Sequence, residues 1–244
     1  MKGTQAGAND WSVQVTGGLP SAWRYLGVPR DRSITMTETN RKRRSTRQIV
    51  GNISLSLDGR VTGPGGDYDM GWIVPHAITD GSRDHLAKLT AAATTVLLGR
   101  KNYEGFSSYW PAVADDEEAD PRDRQFSLWL NEVEKVVFSH TLTKLEWGNA
   151  RLATSDPTAT VRQLRLHEGG NILVLSSASI IRALLEAGEL DRLSLTLCPE
   201  IAGGGRRLFD DGPGGSSWSL EESTRTQSGA ICLIYERRHT TTAR

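Results

Sequence analysis

The run GGNILVLSSASIIRALLEAGELDRLSLTLC, residues 169–198, decides how the rest of the chain is read. Asn171 to Leu175 is a short, almost wholly apolar segment, the pattern of a strand buried on both faces. A helical stretch follows from about Ala178 to Ala187, and Gly188 is placed to end it. Leu193 to Cys198 then reads as the next strand. Strand, helix and strand in such close succession form an α/β unit with a right-handed crossover.

The same alternation continues outward. Thr94 to Leu98 is another buried-strand pattern, ending at Gly99, and Lys101 to Tyr109 reads as helix. Val133 to Ser139 repeats the strand pattern, and Thr158 to His167 reads as a helix. Nearer the start, Ile49 to Leu57 alternates, with Ile53, Leu55 and Leu57 on one face; Asp58-Gly59 marks a hairpin or tight turn before Arg60-Val61-Thr62. Gly63 to Gly71 has the composition of a loop, and Ser82 is positioned to cap a helix carrying Leu86, Leu89 and Ala93. Ser217 to Thr226 and Ala230 to Arg237 alternate on either side of Gln227-Ser228-Gly229, which makes a C-terminal hairpin. The expected fold is therefore α/β: a mixed, mostly parallel sheet with helices on both faces and an antiparallel hairpin at its end. Ligands of such sheets settle beyond the carboxyl ends of the strands. The residues just after Leu98, Phe138 and Leu175 are the first candidates for a site.

The 244 residues suit one domain with appendages. Residues 1–46, rich in Gly, Ser, Thr, Asn, Arg and Pro, show no sustained period and are expected to be a disordered extension, with Met36 as a possible true start. Within it, Arg41-Lys42-Arg43-Arg44, together with Arg47, forms a basic cluster that reads as a solvated leader or as a nucleic-acid arm. The domain proper is expected over 47–238 and a tail over 239–244. Lys plus Arg and Asp plus Glu both total 29, so no global field draws the chain to nucleic acid or an acidic membrane. No apolar stretch approaches the roughly 20 residues that span a bilayer, and no signal-peptide layout opens the chain, so a cytoplasmic location is expected.

Cys198 and Cys232 lie inside apolar strand patterns and read as small buried hydrophobes. The acidic run Asp115 to Asp120 lacks the punctuation of a ligand loop, Asp67 and Asp69 are no stronger, and the five histidines are scattered. No metal site is expected.

Five segments carry a family resemblance. Asn52 to Val61 contains Ser56-Leu57-Asp58-Gly59, which is similar to the first strand of riboflavin-type reductases. Val96-Leu97-Leu98-Gly99-Arg100-Lys101-Asn102-Tyr103 resembles the strand-Gly-Arg-helix junction shared with dihydrofolate reductases. Val136 to His140 resembles the strand-Ser turn that follows, and Gly169 to Ala178 stands where the family has its glycine-rich phosphate loop. Pro199 to Phe209, with Gly203-Gly204-Gly205 and Leu208-Phe209, resembles the segment after the next strand. In order and nearly end to end over 48–237, these identify the chain as similar to the dihydrofolate-reductase-like superfamily, in its RibD C-terminal (riboflavin-biosynthesis reductase) branch.

That resemblance implies a three-layer dihydrofolate-reductase-like fold, NADPH as cofactor and a homodimer. Gly99 would permit a tight turn and close approach of a ligand, while Arg100 and Lys101 would meet the 2′-phosphate. Ser139 and His140 would flank it, and Ser176, Ser177 and Ala178 would meet the pyrophosphate at a helix start. Read without the resemblance, the same residues are solvated charges, a turn and a helix cap. Cations at a helix start oppose its dipole, which favours a bound anion there. One departure stands out: Ser176 occupies a position where the family usually has glycine.

The implied reaction is hydride transfer to a small heterocyclic, pterin- or pyrimidine-like substrate. Asp58 is the candidate proton donor, or else simply the turn residue of Asp-Gly. Trp72, Phe106, Trp110 and Phe209 are candidates for the substrate wall, or else for the core. The competing function is a nucleotide- or partner-binding module on the same fold without turnover.

Overall fold

The computed structural model describes residues 47–209 and 214–238. The expected extension over 1–46, with Met36 and the basic run 41–44, and the expected tail over 239–244 lie outside the described residues.

The first strand, β1 (Ile49–Leu55), starts the sheet. A single 3-10 turn at Gly71–Ile73 leads into the short α1 (Val74–Ala77) and then α2 (Asp80–Ala91). Strand β2 (Ala93–Gly99) passes directly into α3 (Arg100–Val113), and α4 (Pro121–Glu132) precedes β3 (Glu134–Phe138). A short β4 (Ala150–Leu152), α5 (Pro157–Leu164), β5 (Asn171–Leu175) and α6 (Ala178–Glu186) come next. The chain closes with β6 (Arg192–Leu197), β7 (Trp218–Arg225) and β8 (Ile231–Arg237).

The eight strands of the described residues form one sheet in the order β4-β3-β2-β5-β1-β6-β8-β7. The pairs from β4 through β6 are parallel, while β6–β8 and β8–β7 are antiparallel. This is the mixed, mostly parallel sheet that the sequence leads one to expect, with helices on both faces and an antiparallel hairpin at its end. On one face Ile49, Ile53, Leu97, Ile172 and Val174 pack against Val161 and Leu164 of α5 and Ile181 and Leu184 of α6. On the other, Val50, Val96, Leu98 and Leu173 pack against Tyr103 of α3 and Phe126 and Leu130 of α4, with Leu86 and Leu89 of α2 at the margin. Alternate residues of the central strands serve opposite cores, so these strands show no polar face. Each fully buried Leu or Ile contributes about 1.5–3 kcal/mol. Both cysteines are buried and free.

Several local expectations need correction. The cap of α2 is Thr79, whose hydroxyl accepts from the Ser82 amide; Ser82 is inside the helix. The α4 helix and the β4 strand lie where the sequence pattern marks no element. Arg47 is not part of a solvated leader: it is 7% exposed and donates to Gly170 O, Leu164 O and the Thr94 and Thr95 hydroxyls, tying the start of β1 to the entry of β5. Asp58-Gly59 does make a tight turn, with Gly59 at φ 74, but the residues after it form one antiparallel bridge, Arg60 to Arg207, and no hairpin strand. Gly205 explains part of its triplet. At φ 87, a Cβ there would lie 2.1 Å from Thr62 O, so only glycine lets the 203–207 segment close on the loop after β1. No helix among the described residues is long and apolar enough to cross a membrane.

Candidate active site

The crossovers from β2 and β5 leave on opposite faces of the sheet, α3 on one and α6 on the other. Between them, at the carboxyl ends of β1, β2, β3 and β5, opens a cleft of about 980 Å³. That is the switch point at which open α/β sheets hold ligands.

Helix ends shape the cleft chemically. Among the helices longer than one turn, α2, α4 and α5 are capped by the side chains of Thr79, Asp120 and Asp156. Neither α3 nor α6 has a side-chain cap or an acidic residue in its first turn, and both begin in the cleft. Ser177 stands at the cap position of α6 but its hydroxyl is turned inward. It accepts from Gly99 N at 2.9 Å and from Asn102 Nδ2 at 3.0 Å, and donates to Leu175 O at 3.0 Å. Ser177 thus ties β2, α3 and β5 together and leaves the first N–H groups of α6 to the cleft. Two positive helix ends with unmet donors meet in one place.

Ser176 enters this turn at φ 51, in the left-handed region that side-chain-bearing residues avoid. It is held there from both sides: its amide donates to Asn52 O at 2.8 Å, and its carbonyl accepts from Asn102 Nδ2. The backbone is therefore in the conformation suited to glycine, with a hydroxymethyl group added at the cleft surface.

Gly99, Arg100, Lys101, Ser139, His140, Ser176, Ser177 and Ala178 all line the cleft, so the structure brings the eight expected cofactor residues together. Arg100 is paired with Glu104 at 2.8 Å, and Lys101 with Asp67. The Ser139 hydroxyl accepts from the amides of Thr141 and Leu142, at 3.1 and 2.9 Å, and so shapes the turn after β3. Gly99 is not demanded by the turn. Its φ is −74, and a Cβ there would meet Ser177 Oγ at an ordinary 3.7 Å.

The substrate candidates divide. Phe106 lines the cleft, whereas Asp58, Trp72, Trp110 and Phe209 do not. Trp110 packs edge-on to Phe126, ring centres 4.6 Å apart, within the second core. Phe209 is 45% exposed, and Trp72 carries a buried indole N–H without a hydrogen-bond partner among the described residues. Asp58 accepts from Ser56 Oγ at 2.6 Å and from the amides of Ala202 and Gly203 at 3.0 and 3.1 Å. The Ser56 hydroxyl above all, helped by these amides and opposed by burial, holds its carboxyl down at about 2. A carboxyl so stabilised in its charged form is a poor proton donor at neutral pH; its place in the structure is as a clasp on the 200–203 loop.

Other lining residues escape a sequence reading. Asn102 pins the β5 turn, Asp67 and Arg206 pair at 3.4 Å across the mouth, and Ile53, Ser54, Met70, Ile73, Val74 and Ala77 form the side toward α1. The apolar alternation of β1 marks Ile53, and Asn102 falls in the strand-Gly-Arg-helix junction; nothing local marks the rest. Among the described residues no group of three or more His, Cys, Asp or Glu could hold a metal ion.

Comparison with known proteins agrees with this architecture. The family model for the RibD C-terminal domain matches residues 47–232. The uncharacterized protein YyaP of Bacillus subtilis is 26% identical over 191 residues, covering 78% of this chain and 94% of its own. A Shewanella protein assigned to riboflavin biosynthesis superposes with a TM-score of 0.59 at 18% identity, over 79% of this chain and 99% of that one. A pyrimidine reductase-like protein from Corynebacterium diphtheriae superposes with a TM-score of 0.54 at 15% identity, over 79% and 92%. At these identities the superpositions establish the fold.

Proposed function

The chain belongs to the RibD C-terminal domain family, and on that premise we propose that it is an NADPH-dependent reductase that delivers a hydride to a small, flat organic substrate. One observation carries the reading: the two long helices without side-chain caps, α3 and α6, both open on the cleft, beside Arg100, Lys101 and His140. Unmet N–H donors, positive helix ends and cations in one crevice suit a ligand with several phosphates. The pyrophosphate would lie against the first turn of α6 and Ser176, and the 2′-phosphate against Arg100, Ser139 and His140. Bound there, the reduced nicotinamide would supply the hydride; the protein's part is to hold and orient the two reactants. The pyrimidine reductase-like neighbour supports a reductase by its description, and the resemblance suggests a pterin- or pyrimidine-like ring. It also suggests a homodimer, for which a sedimentation mass twice that of the chain is expected.

The test is a titration with NADPH and NADH followed by tryptophan fluorescence. NADPH is expected to bind in the micromolar range and NADH much more weakly, with Arg100→Ala costing about tenfold for NADPH alone, or about 1.4 kcal/mol. Equal affinity for the two nucleotides, or none for either, would refute the assignment. A second reading, binding without turnover, is favoured by the position of Asp58, whose carboxylate is committed outside the cleft lining. It requires NADPH to bind but remain unoxidised with every acceptor tried.

A further inference from the structure

The cofactor reading leaves one half of the cleft free. On the β1 and α1 side it is walled by Ile53, Val61, Met70, Ile73, Val74 and Ala77. Few polar groups face it. The Thr62 hydroxyl is buried and accepts from Arg206 N at 3.0 Å. Asp67 is shared between Lys101 and Arg206. The other carboxylate lining the cleft among the described residues, Asp156, caps α5 beyond β4, accepting from Ala159 N at 2.9 Å. At the end of β1 Ser54 also lines the cleft, and its hydroxyl makes no hydrogen bond among the described residues.

A pterin or an aminopyrimidine carries several N–H donors along one ring edge. Buried, those donors need a carboxylate or comparable acceptor, and leaving them unmet is costly. The apolar wall offers none, and the nearest carboxylate is neutralised by two cations. A ring system with a hydrocarbon face, carbonyl acceptors and no N–H donors matches the wall and the Ser54 hydroxyl instead. We infer that the acceptor is a flat, largely apolar conjugated carbonyl compound of the quinone class, one oxygen of which accepts from Ser54. This rests on the NADPH reading and narrows its substrate. The quinone takes one hydride from the reduced nicotinamide, which is left oxidised, and one proton from solvent, becoming the hydroquinone; no other bond is broken.

The experiment uses the full chain with NADPH and three acceptors: a naphthoquinone, a dihydropterin and an aminopyrimidine. The expected order of kcat/KM places the naphthoquinone on the order of a hundredfold above either heterocycle, the discrimination that apolar pockets achieve. A second readout needs no turnover. In NADPH-saturated protein, N-phenylnaphthylamine, a neutral apolar fluorophore, binds and is displaced by the naphthoquinone. Val74 is 55% exposed, so Val74→Asp leaves the core intact. It is expected to weaken probe binding and naphthoquinone kcat/KM by about tenfold or more, with NADPH affinity unchanged. Ser54→Ala is expected to lower kcat/KM for the quinone and to spare probe binding. Protein that binds NADPH but prefers either heterocycle, or binds the probe equally well as Val74→Asp, overturns this inference alone; protein that binds NADPH but reduces none of the three overturns it and favours binding without turnover. Protein that binds no NADPH overturns the reductase reading and this inference with it.

Discussion

Replacing Gly99 by alanine separates what the fold needs from what a ligand needs. The backbone at Gly99 has φ −74 and ψ 158, open to any residue, and an added Cβ meets only Ser177 Oγ at 3.7 Å and Ser177 Cβ at 3.9 Å. The Gly99 amide keeps its bond to Ser177 Oγ. Stiffening the unfolded chain should stabilise the protein by about 0.4–1 kcal/mol. Gly99 is also the cap of α3, and alanine is a poorer cap than glycine by roughly 0.5–1 kcal/mol. The two nearly cancel, so the net change should stay within about 0.5 kcal/mol, or about 1–2 °C in Tm for a domain of this size. Binding is another matter. The new methyl group occupies the surface where phosphate would approach the helix start, and NADPH affinity should fall by at least about tenfold, roughly 1.4 kcal/mol. Thermal melts followed by circular dichroism and a fluorescence titration with NADPH measure both effects. A Tm loss beyond about 4 °C would mean that the turn needs glycine after all. Unchanged NADPH affinity would mean that no phosphate lies against Gly99, and the cofactor placement would fall.

Three further outcomes are expected. Asp67→Asn frees Lys101 and Arg206 from their shared carboxylate; NADPH should then bind roughly two- to fivefold tighter at low salt, with the gain lost at high salt. The Asp58 carboxyl titrates at about 2 instead of 3.8, chiefly through the Ser56 hydroxyl. A depressed carboxylate stabilises the fold above its unfolded value and loses that contribution as pH falls toward 2. Asp58→Asn should therefore be less stable than the parent at pH 7 in urea melts, and the gap should close as the acid limb is entered. Lys135 is fully buried, its ammonium donating to Val133 O at 2.8 Å and lying 4.9 Å from the Trp147 ring centre, and burial pulls it down to about 8 from 10.5. Between those values the unfolded chain binds more protons, so parent stability rises with pH there. Urea melts of Lys135→Met should lack that rise, the difference between the proteins drifting by up to about 3 kcal/mol across the window; parallel curves would refute the depressed amine.

The central strands are legible because they serve two cores at once. Val96, Leu97, Leu98, Ile172, Leu173 and Val174 are at most 1% exposed, and a strand buried on both faces must be apolar at successive positions. The α4 helix is not legible for the opposite reason. PRDRQFSLWLNE buries only Phe126, Ser127 and Leu130, a stripe too narrow to set a period. Its start is marked, since Asp120 caps it and Pro121 occupies the first turn. The acidic run before it, which reads as a solvated loop, hides the boundary. At α2, Thr79 and Ser82 are equally good caps on paper, and only the fold decides that Thr79 turns back to receive the Ser82 amide.

The site divides along a similar line. Residues that follow a buried strand, such as Arg100, His140 and Ser176, are located as soon as the strand is, because the sheet carries its carboxyl ends to one edge. What a side chain does there depends on neighbours far away in sequence. Ser56-Leu57-Asp58-Gly59 places a carboxylate after β1, yet the amides of Ala202 and Gly203 claim it. Ser176-Ser177-Ala178 reads locally as a helix cap, but Gly99 and Asn102 draw the Ser177 hydroxyl away from α6. That withdrawal leaves the first donors of α6 to the cleft: had Ser177 capped its own helix, they would already be satisfied. Ser176 bears the cost, held in the left-handed region by Asn52 and Asn102. A residue type avoided there persists only when the surroundings over-determine it, and here they do so from two elements, β1 and α3. The left-handed conformation is thus set by the frame around position 176 and not by the residue that occupies it.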